Sequence, residues 1–310
     1  KQNNELGGLP PFSYLQSPFE KKGRRYRTDF TQPFIRGFAA WLADAHRPGL
    51  HGRPCRSPKS RSCPSKPPCE RPPSRTAKAV LVRLGIDATA GAWNAPVRPE
   101  TNEYIFVPIP EVREKLRPGL VRTYDEIVER LERFGAPLPT HLRGRAMHLD
   151  PDFQHLTYGD KNRRGRQLRS LRPGDLLVFY AGLKPLVPST HTSLIYALVG
   201  MFEVDEIIPA QAIPSQHWHE NAHTIRYPEE DDLVIRARPG TSGLFRTCIP
   251  IGEYRRRSYR VRTDILTQWG DLDVRDGYIQ RSAYLPRFLN TARFLKWLNK
   301  HSPTIDRRPW

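Results

Sequence analysis

Residues 168–204 constrain the fold more than any other part of the chain. They read LRSLRPGDLLVFYAGL, then a break rich in Pro, Ser and Thr, then SLIYALVGMFEV. Pro173, Gly174 and Asp175 signal a tight turn, because Pro presets φ and Gly supplies a positive φ. The apolar run that follows, 176–180, suits a strand buried on both faces. A second run, 194–199, stops at Gly200 and resumes over 201–204. A glycine inside a strand pattern marks a bulge or a close backbone approach. Two buried strands joined by a variable loop predict a hairpin within a small closed barrel.

The rest of the chain is more polar. Its 310 residues suffice for one large or two small domains. The net charge of +18 favours polyanionic partners, nucleic acid first. That excess is uneven, since residues 1–78 carry 16 Lys and Arg against 5 Asp and Glu. Charge alone is therefore a weaker argument for the folded part. Residues 47–78 form a Pro/Ser/Arg-rich run that buries too little to offset its ordering entropy. It reads as a linker or as a basic arm for phosphate backbones. Three of the four cysteines, Cys55, Cys63 and Cys69, lie there, and their spacing fits no zinc module. Cys248 reads as a buried small hydrophobe. No apolar run approaches a membrane span and no secretory signal opens the sequence, so a cytoplasmic protein without a membrane partner is expected.

Three segments follow: a largely disordered basic tail over 1–78, a folded domain over 79–302, and a short C-terminal tail over 303–310. A short amphipathic helix over 33–45 is the one element expected in the tail. In the domain, strands are expected at 79–86, 103–109, 232–238 and 247–251. A helix at 123–134 opens with a capping box, Thr123 and Glu126. Residues 138–167 read as a long polar segment, and 285–298 as a final helix. Strands and helices do not alternate as βαβ units, so the class is α+β.

The order of motifs is more specific than any one of them. LGIDATAGAWNAPV at 84–97, EYIFVPIPE at 103–111, HLDPDFQHLTYGD at 148–160, the 168–183 stretch and VGMFEVDEI at 199–207 occur in sequence. Together they resemble the nucleotide-modification-associated domain family of the third type, over about residues 80–290. The turn, strand and VG pattern is also similar to the PUA-like barrels, notably the ASCH and EVE groups. The resemblance implies a mixed β-barrel core with flanking helices and a role near modified bases. It also implies a nucleotide or nucleic acid as partner, possible companion proteins of a modification system, and no settled reaction. No cofactor is indicated.

Within those motifs, candidate roles can be assigned. Asp87 ends a strand and is the candidate acid–base carboxylate; the plainer reading is a loop Asp that bonds its own backbone. Trp93 and Tyr180 offer rings for stacking, and Asn94 offers paired donor and acceptor groups. Tyr158 and Asp160 join them as candidate base-binding residues. Arg163, Arg164 and Arg166 suit a phosphate-gripping loop. His148, Asp150, Asp152 and His155 are weak candidates for a divalent metal, against the plainer reading of a solvated turn. His217, His219 and His223 read as a surface loop. Arg255, Arg256, Arg257 and Arg260 alternate with tyrosines, as either a polyanion-facing or a solvated edge strand. Binding module, enzyme and scaffold subunit of a modification complex all remain open, since no nucleophile elbow, Walker or zincin motif is present.

Overall fold

The structure, a computed structural model, describes residues 75–113, 115–187, 194–280 and 284–306. The expected helix over 33–45, the three tail cysteines and most of the 1–78 segment lie outside the described residues. In chain order the elements are β1 (Ala79–Arg83), β2 (Pro96–Val97), β3 (Ile109–Pro110), α1 (Val128–Phe134), β4 (Met147–His148), β5 (Thr157–Asp160) and α2 (Asn162–Leu168). There follow β6 (Leu176–Pro185), β7 (Ile195–Pro209), α3 (Ala222–Ile225), β8 (Leu233–Ala237) and β9 (Gly243–Pro250). The chain closes with β10 (Gly252–Arg255), β11 (Ser258–Val261), α4 (Thr263–Trp269), α5 (Thr291–His301) and β12 (Ile305–Asp306). The class is α+β, as expected.

The hairpin β6–β7 is the spine of an eight-stranded sheet in the order β1-β6-β7-β8-β5, with β9 on β7, β12 on β9 and β2 on β6. Its strands are buried on both faces, as their unbroken apolar runs require. Val80, Val82, Leu177 and Phe179 enter one core with Phe106, Phe153 and Phe202. Their neighbours Ala79, Leu81, Val178 and Tyr180 enter a second core with Trp269, Phe294 and Trp297 from α4 and α5. Gly200 does both things expected of it. The β6–β7 register shifts beside it, and an added Cβ would lie 2.7 Å from the Gly243 carbonyl and 2.8 Å from the Phe153 ring. The Tyr104 hydroxyl sits 2.7 Å from the carbonyls of Val199 and Phe245, at this irregularity.

Asp175, which closes the Pro173–Gly174 turn, is fully buried and fixes the entry to β6. Its carboxylate accepts from the backbone N–H of Lys78 (2.8 Å) and Arg172 (2.9 Å), and pairs with Arg75 at 2.6 Å. Gly174 takes the left-handed φ of +85° that the turn needs.

The sheet departs from the expected barrel in that it does not close. Among the described residues only single bridges, Val97 to Tyr104 and Glu103 to Thr247, lead from β2 back toward β9. The 103–109 stretch is therefore not a full strand; Pro108 and Pro110 lack the N–H groups a ladder needs. Two further segments differ from expectation. Residues 285–288 do not open the last helix but run along β1, with Leu81 N–H donating to the Pro286 carbonyl at 2.7 Å and Phe288 N–H to Ala79 at 3.0 Å. The helix begins only after Asn290, whose side chain accepts from Arg293 N–H at 3.0 Å. At 123–134 the first turn is a 3-10 turn, Tyr124–Ile127, and Thr123 makes no capping bond.

Helix α2 follows β5 directly and packs against it. Gln167 reads both backbone groups of Leu285, accepting from its N–H at 3.1 Å and donating to its carbonyl at 3.3 Å. This one amide ties the helix after β5 to the segment beside β1.

Candidate functional site

A group of buried polar residues surrounds β5, whose sequence is Thr-Tyr-Gly-Asp and which is buried throughout. Thr157 Oγ1 donates to the Glu220 carbonyl at 3.0 Å. Tyr158 donates its hydroxyl to Asp160 Oδ2 at 2.8 Å and accepts from Arg164. Gly159 N–H donates to Asp150 Oδ1 at 3.0 Å. Asp160 pairs with Arg164 at 2.8 Å. Each of the four successive residues thus holds a polar partner, with Tyr158 and Asp160 bonded to each other and sharing Arg164.

One side of the strand is a carboxyl–tyrosine–arginine cluster. The Asp150 carboxyl is enclosed by protein, although the residue keeps partial solvent contact. Burial first, and then the negative charge of Asp160, hold its pKa well above the usual carboxylate range. Burial also raises Asp160, against the pull of Arg164. The Arg164 cation loses solvation through burial, but Asp160, Tyr158 and Asp150 more than compensate, so it stays charged.

The other side holds two histidines, each oriented by a carboxylate. His223 is fully buried, and its Nδ1 lies 2.6 Å from Asp232 Oδ1. Arg226 also pairs with Asp232, and reaches Glu229 at 2.7 Å. His148 Nδ1 lies 2.7 Å from Glu111 Oε2. Both Nε2 atoms are buried without a hydrogen-bond partner among the described residues. The His223 ring lies directly on Gly159: a Cβ there would come within 2.4 Å of Cδ2 and 2.8 Å of Nε2. Only glycine lets the ring sit so close.

Burial lowers the His223 pKa to about 4, with Asp232 opposing the shift only in part. Asp232 itself stays below its ordinary range: burial would raise it, but His223 and Arg226 outweigh that. An ionised carboxylate at Nδ1 assigns the proton to that nitrogen, leaving the Nε2 lone pair as an acceptor. Burial would also raise Glu111, but the His148 imidazole and the N–H groups of Arg113 and Val112 bring it down to about 2.

These shifts set a pH dependence. The His223 value is depressed below its ordinary 6.5, so the unfolded chain takes up its proton first as pH falls. Stability from this group is therefore present above pH 6.5 and is lost between about 6.5 and about 4. The loss is on the order of 3 kcal/mol, at ~1.4 kcal/mol per unit. Glu111 adds a second loss between 4.5 and about 2. Asp150 and Asp160, being raised, act with the opposite sign. Chemical denaturation of the wild type and of His223→Gln from pH 7.5 to 4.5 should show a slope in the wild type that the variant lacks. Equal slopes would contradict the assignment.

The expected site residues fall in two places. Tyr158, Asp160 and Arg164 meet at β5. Tyr180, midway along β6, feels the charge of Arg164, while Asp87, Trp93 and Asn94 lie beyond the end of β1. There, Asp87 Oδ1 accepts from Thr89 and Ala90 N–H at 2.8 Å each, and Oδ2 pairs with Arg83 at 2.7 Å. Asn94 Nδ2 donates to the Gly182 carbonyl at 2.9 Å. Trp93 is half-buried against the first core. Tyr180 is buried in the second core, with its hydroxyl 2.5 Å from the Ile279 carbonyl. The segment expected to be a phosphate loop is a strand followed by α2, so Arg163 and Arg166 are exposed while Arg164 points inward.

The four candidate metal ligands are not gathered. His148 is held by Glu111. Asp152 caps its own turn, accepting from Gln154 and His155 N–H at 2.8 and 2.9 Å. Among the described residues, no group of three or more His, Cys, Asp or Glu side chains is placed to hold a metal ion. The 217–223 histidines are not simply a surface loop, because His223 is completely buried. Glu111, His223, Arg226 and Asp232 are the site residues that sequence reasoning passed over. The one available signal was the closeness of HWHENAH to the acidic run at 229–232. Elsewhere, Arg255 and Arg256 gather on Asp276 at 2.5 and 3.1 Å beside the β10–β11 turn.

Comparison with known proteins places this geometry in a family. The profile of the family described as Nucleotide modification associated domain 3 matches residues 78–279. The chain belongs to that family, and the match spans β5, the spine hairpin and both histidine pairs. No curated protein and no solved structure matches the chain. No helix among the described residues is long and apolar enough to cross a membrane.

Proposed function

We propose that this member of the nucleotide-modification-associated family binds a nucleotide, or a base drawn out of nucleic acid, and reads its exchangeable protons at the β5 hub. One observation carries the proposal: Asp150 and His223 flank Gly159 with opposed proton affinities. Burial pushes the first toward its protonated form and the second toward a neutral ring that offers a lone pair. A base edge presents the complementary pattern of acceptor and donor groups. Extruding a base costs a few kcal/mol, which stacking and edge hydrogen bonds offset. Arg163 and Arg166, exposed on α2 directly after β5, are candidates for phosphate contact, whereas Trp93 lies beyond the end of β1 and would stack a neighbouring base of the strand, not the one read at β5. Tyr158 and Tyr180 take supporting roles in this reading, since their hydroxyls are already engaged.

The same pair favours a second reading. Titratable groups pushed apart in pKa are what acid–base chemistry on a base requires. The test is binding of the full chain to single-stranded oligonucleotides, with and without modified bases, across a salt series. Binding that prefers a modified base, survives high salt and is lost in Asp150→Asn or His223→Gln supports the hub. Weak binding that ignores the base and vanishes with salt would overturn it. Conversion of the base by the wild type, absent in both variants, would decide for the enzyme.

A further inference from the structure

A cavity lies away from β5, where α1, β9 and β12 meet the 98–105 segment. Its volume is about 330 Å³, within the range of small-ligand pockets. Four arginines line it, Arg98, Arg130, Arg133 and Arg246, against two carboxylates, Glu103 and Asp306. Such an excess of guanidinium in one concavity is unusual for a purely structural cleft, since like charges repel when brought together.

The arginines are not equivalent. Arg98 is built in: its guanidinium lies 4.3 Å from the Phe134 ring centroid and donates to the Phe134 carbonyl and to Glu103, each at 3.2 Å. This gives the cleft a planar, fixed cationic wall. Burial disfavours the Arg130 cation, Arg133 adds to that, and Asp306 only partly offsets it. Arg133 and Arg246 are exposed at the rim. An entering anion would relieve the crowding, and guanidinium forks match the oxygens of phosphate.

We propose that this cleft is a phosphate-binding subsite that receives the backbone of a nucleic-acid strand. It is a separate site from β5 and does not depend on the reading of Asp150 and His223. Phosphate could arrive on a strand or on a free nucleotide, and the two are distinguished by the probe.

The experiment measures binding of the full chain to a short single-stranded oligonucleotide and, separately, to a nucleoside triphosphate. The variant is Arg133→Glu with Arg246→Glu. The control is Lys296→Glu with Lys300→Glu, which makes the same charge change on the exposed face of α5. The cleft variant should bind the oligonucleotide about tenfold more weakly or worse, with the salt slope reduced by about two. The control should change affinity by less than about twofold. A loss confined to the triphosphate would overturn the strand assignment in favour of a nucleotide subsite. Equal losses in cleft and control variants, or none in either, would overturn the site altogether. A cleft variant that loses the salt slope but keeps the preference for a modified base separates failure of this site from failure of the β5 reading.

Discussion

Replacing Gly159 with alanine is expected to destabilise the domain by ~2–3 kcal/mol, the upper part of the range for overpacking. The new methyl would sit 2.4 Å from Cδ2 and 3.1 Å from Cγ of His223. The ring cannot give way easily, because it is fully buried and its Nδ1 is fixed against Asp232. Nor can the strand shift, since β5 is laddered to β8 over Thr157–Asp160 and Gly159 N–H is committed to Asp150. Denaturant titration reads the loss. The double variant Gly159→Ala with His223→Ala should recover part of it, because removing the ring opens the space. A single variant as stable as the wild type would mean that the ring does not rest on the strand.

The second large effect is expected at Arg164. Replacement by leucine leaves Asp160 buried beside Asp150 with its main countercharge gone. Breaking one partner of a buried pair costs ~3–5 kcal/mol. The cost should fall well below that in the double variant Arg164→Leu with Asp160→Leu, because no orphan charge remains. The comparison matters for more than stability. If the double variant folds but loses oligonucleotide binding as Asp150→Asn does, then Asp160 and Arg164 serve to set the Asp150 proton; if it still binds, burial alone holds that proton. If single and double variants lose stability equally, the pair acts through packing and not through charge.

Much of the spine was legible in the sequence, and the reasons are local. The Pro173-Gly174-Asp175 turn, the unbroken run into Tyr180 and the interruption at Gly200 all follow from rules that act within a few residues. Burial of both faces followed from the absence of alternation. The family could be recognised for a related reason, since its motifs sit on these same elements. What was hidden depends on contacts far apart in the chain. Residues 157–168 looked like a polar loop because Thr157, Asp160 and Arg164 are polar, yet each is buried against a partner that only the fold supplies. His223 looked like one of three surface histidines because Asp232 and Gly159 reach it only after folding. Residues 285–288 carry a helical pattern, but the free edge of β1 takes them as an extended partner. The barrel was expected from a hairpin whose closure depends on segments elsewhere, and those supply single bridges instead of ladders.

Both sides of β5 bear on one claim, that the hub presents a held proton and an open lone pair to a base. The most direct test is nitrogen-15 NMR of the His223 imidazole in the full chain, as a function of pH and of added modified nucleoside or oligonucleotide. The account predicts a neutral ring at pH 6, protonated on Nδ1, with an Nε2 resonance that shifts when the base is added and does not shift in Asp150→Asn. A ring already protonated at pH 6, or an Nε2 resonance indifferent to every base offered, would contradict it.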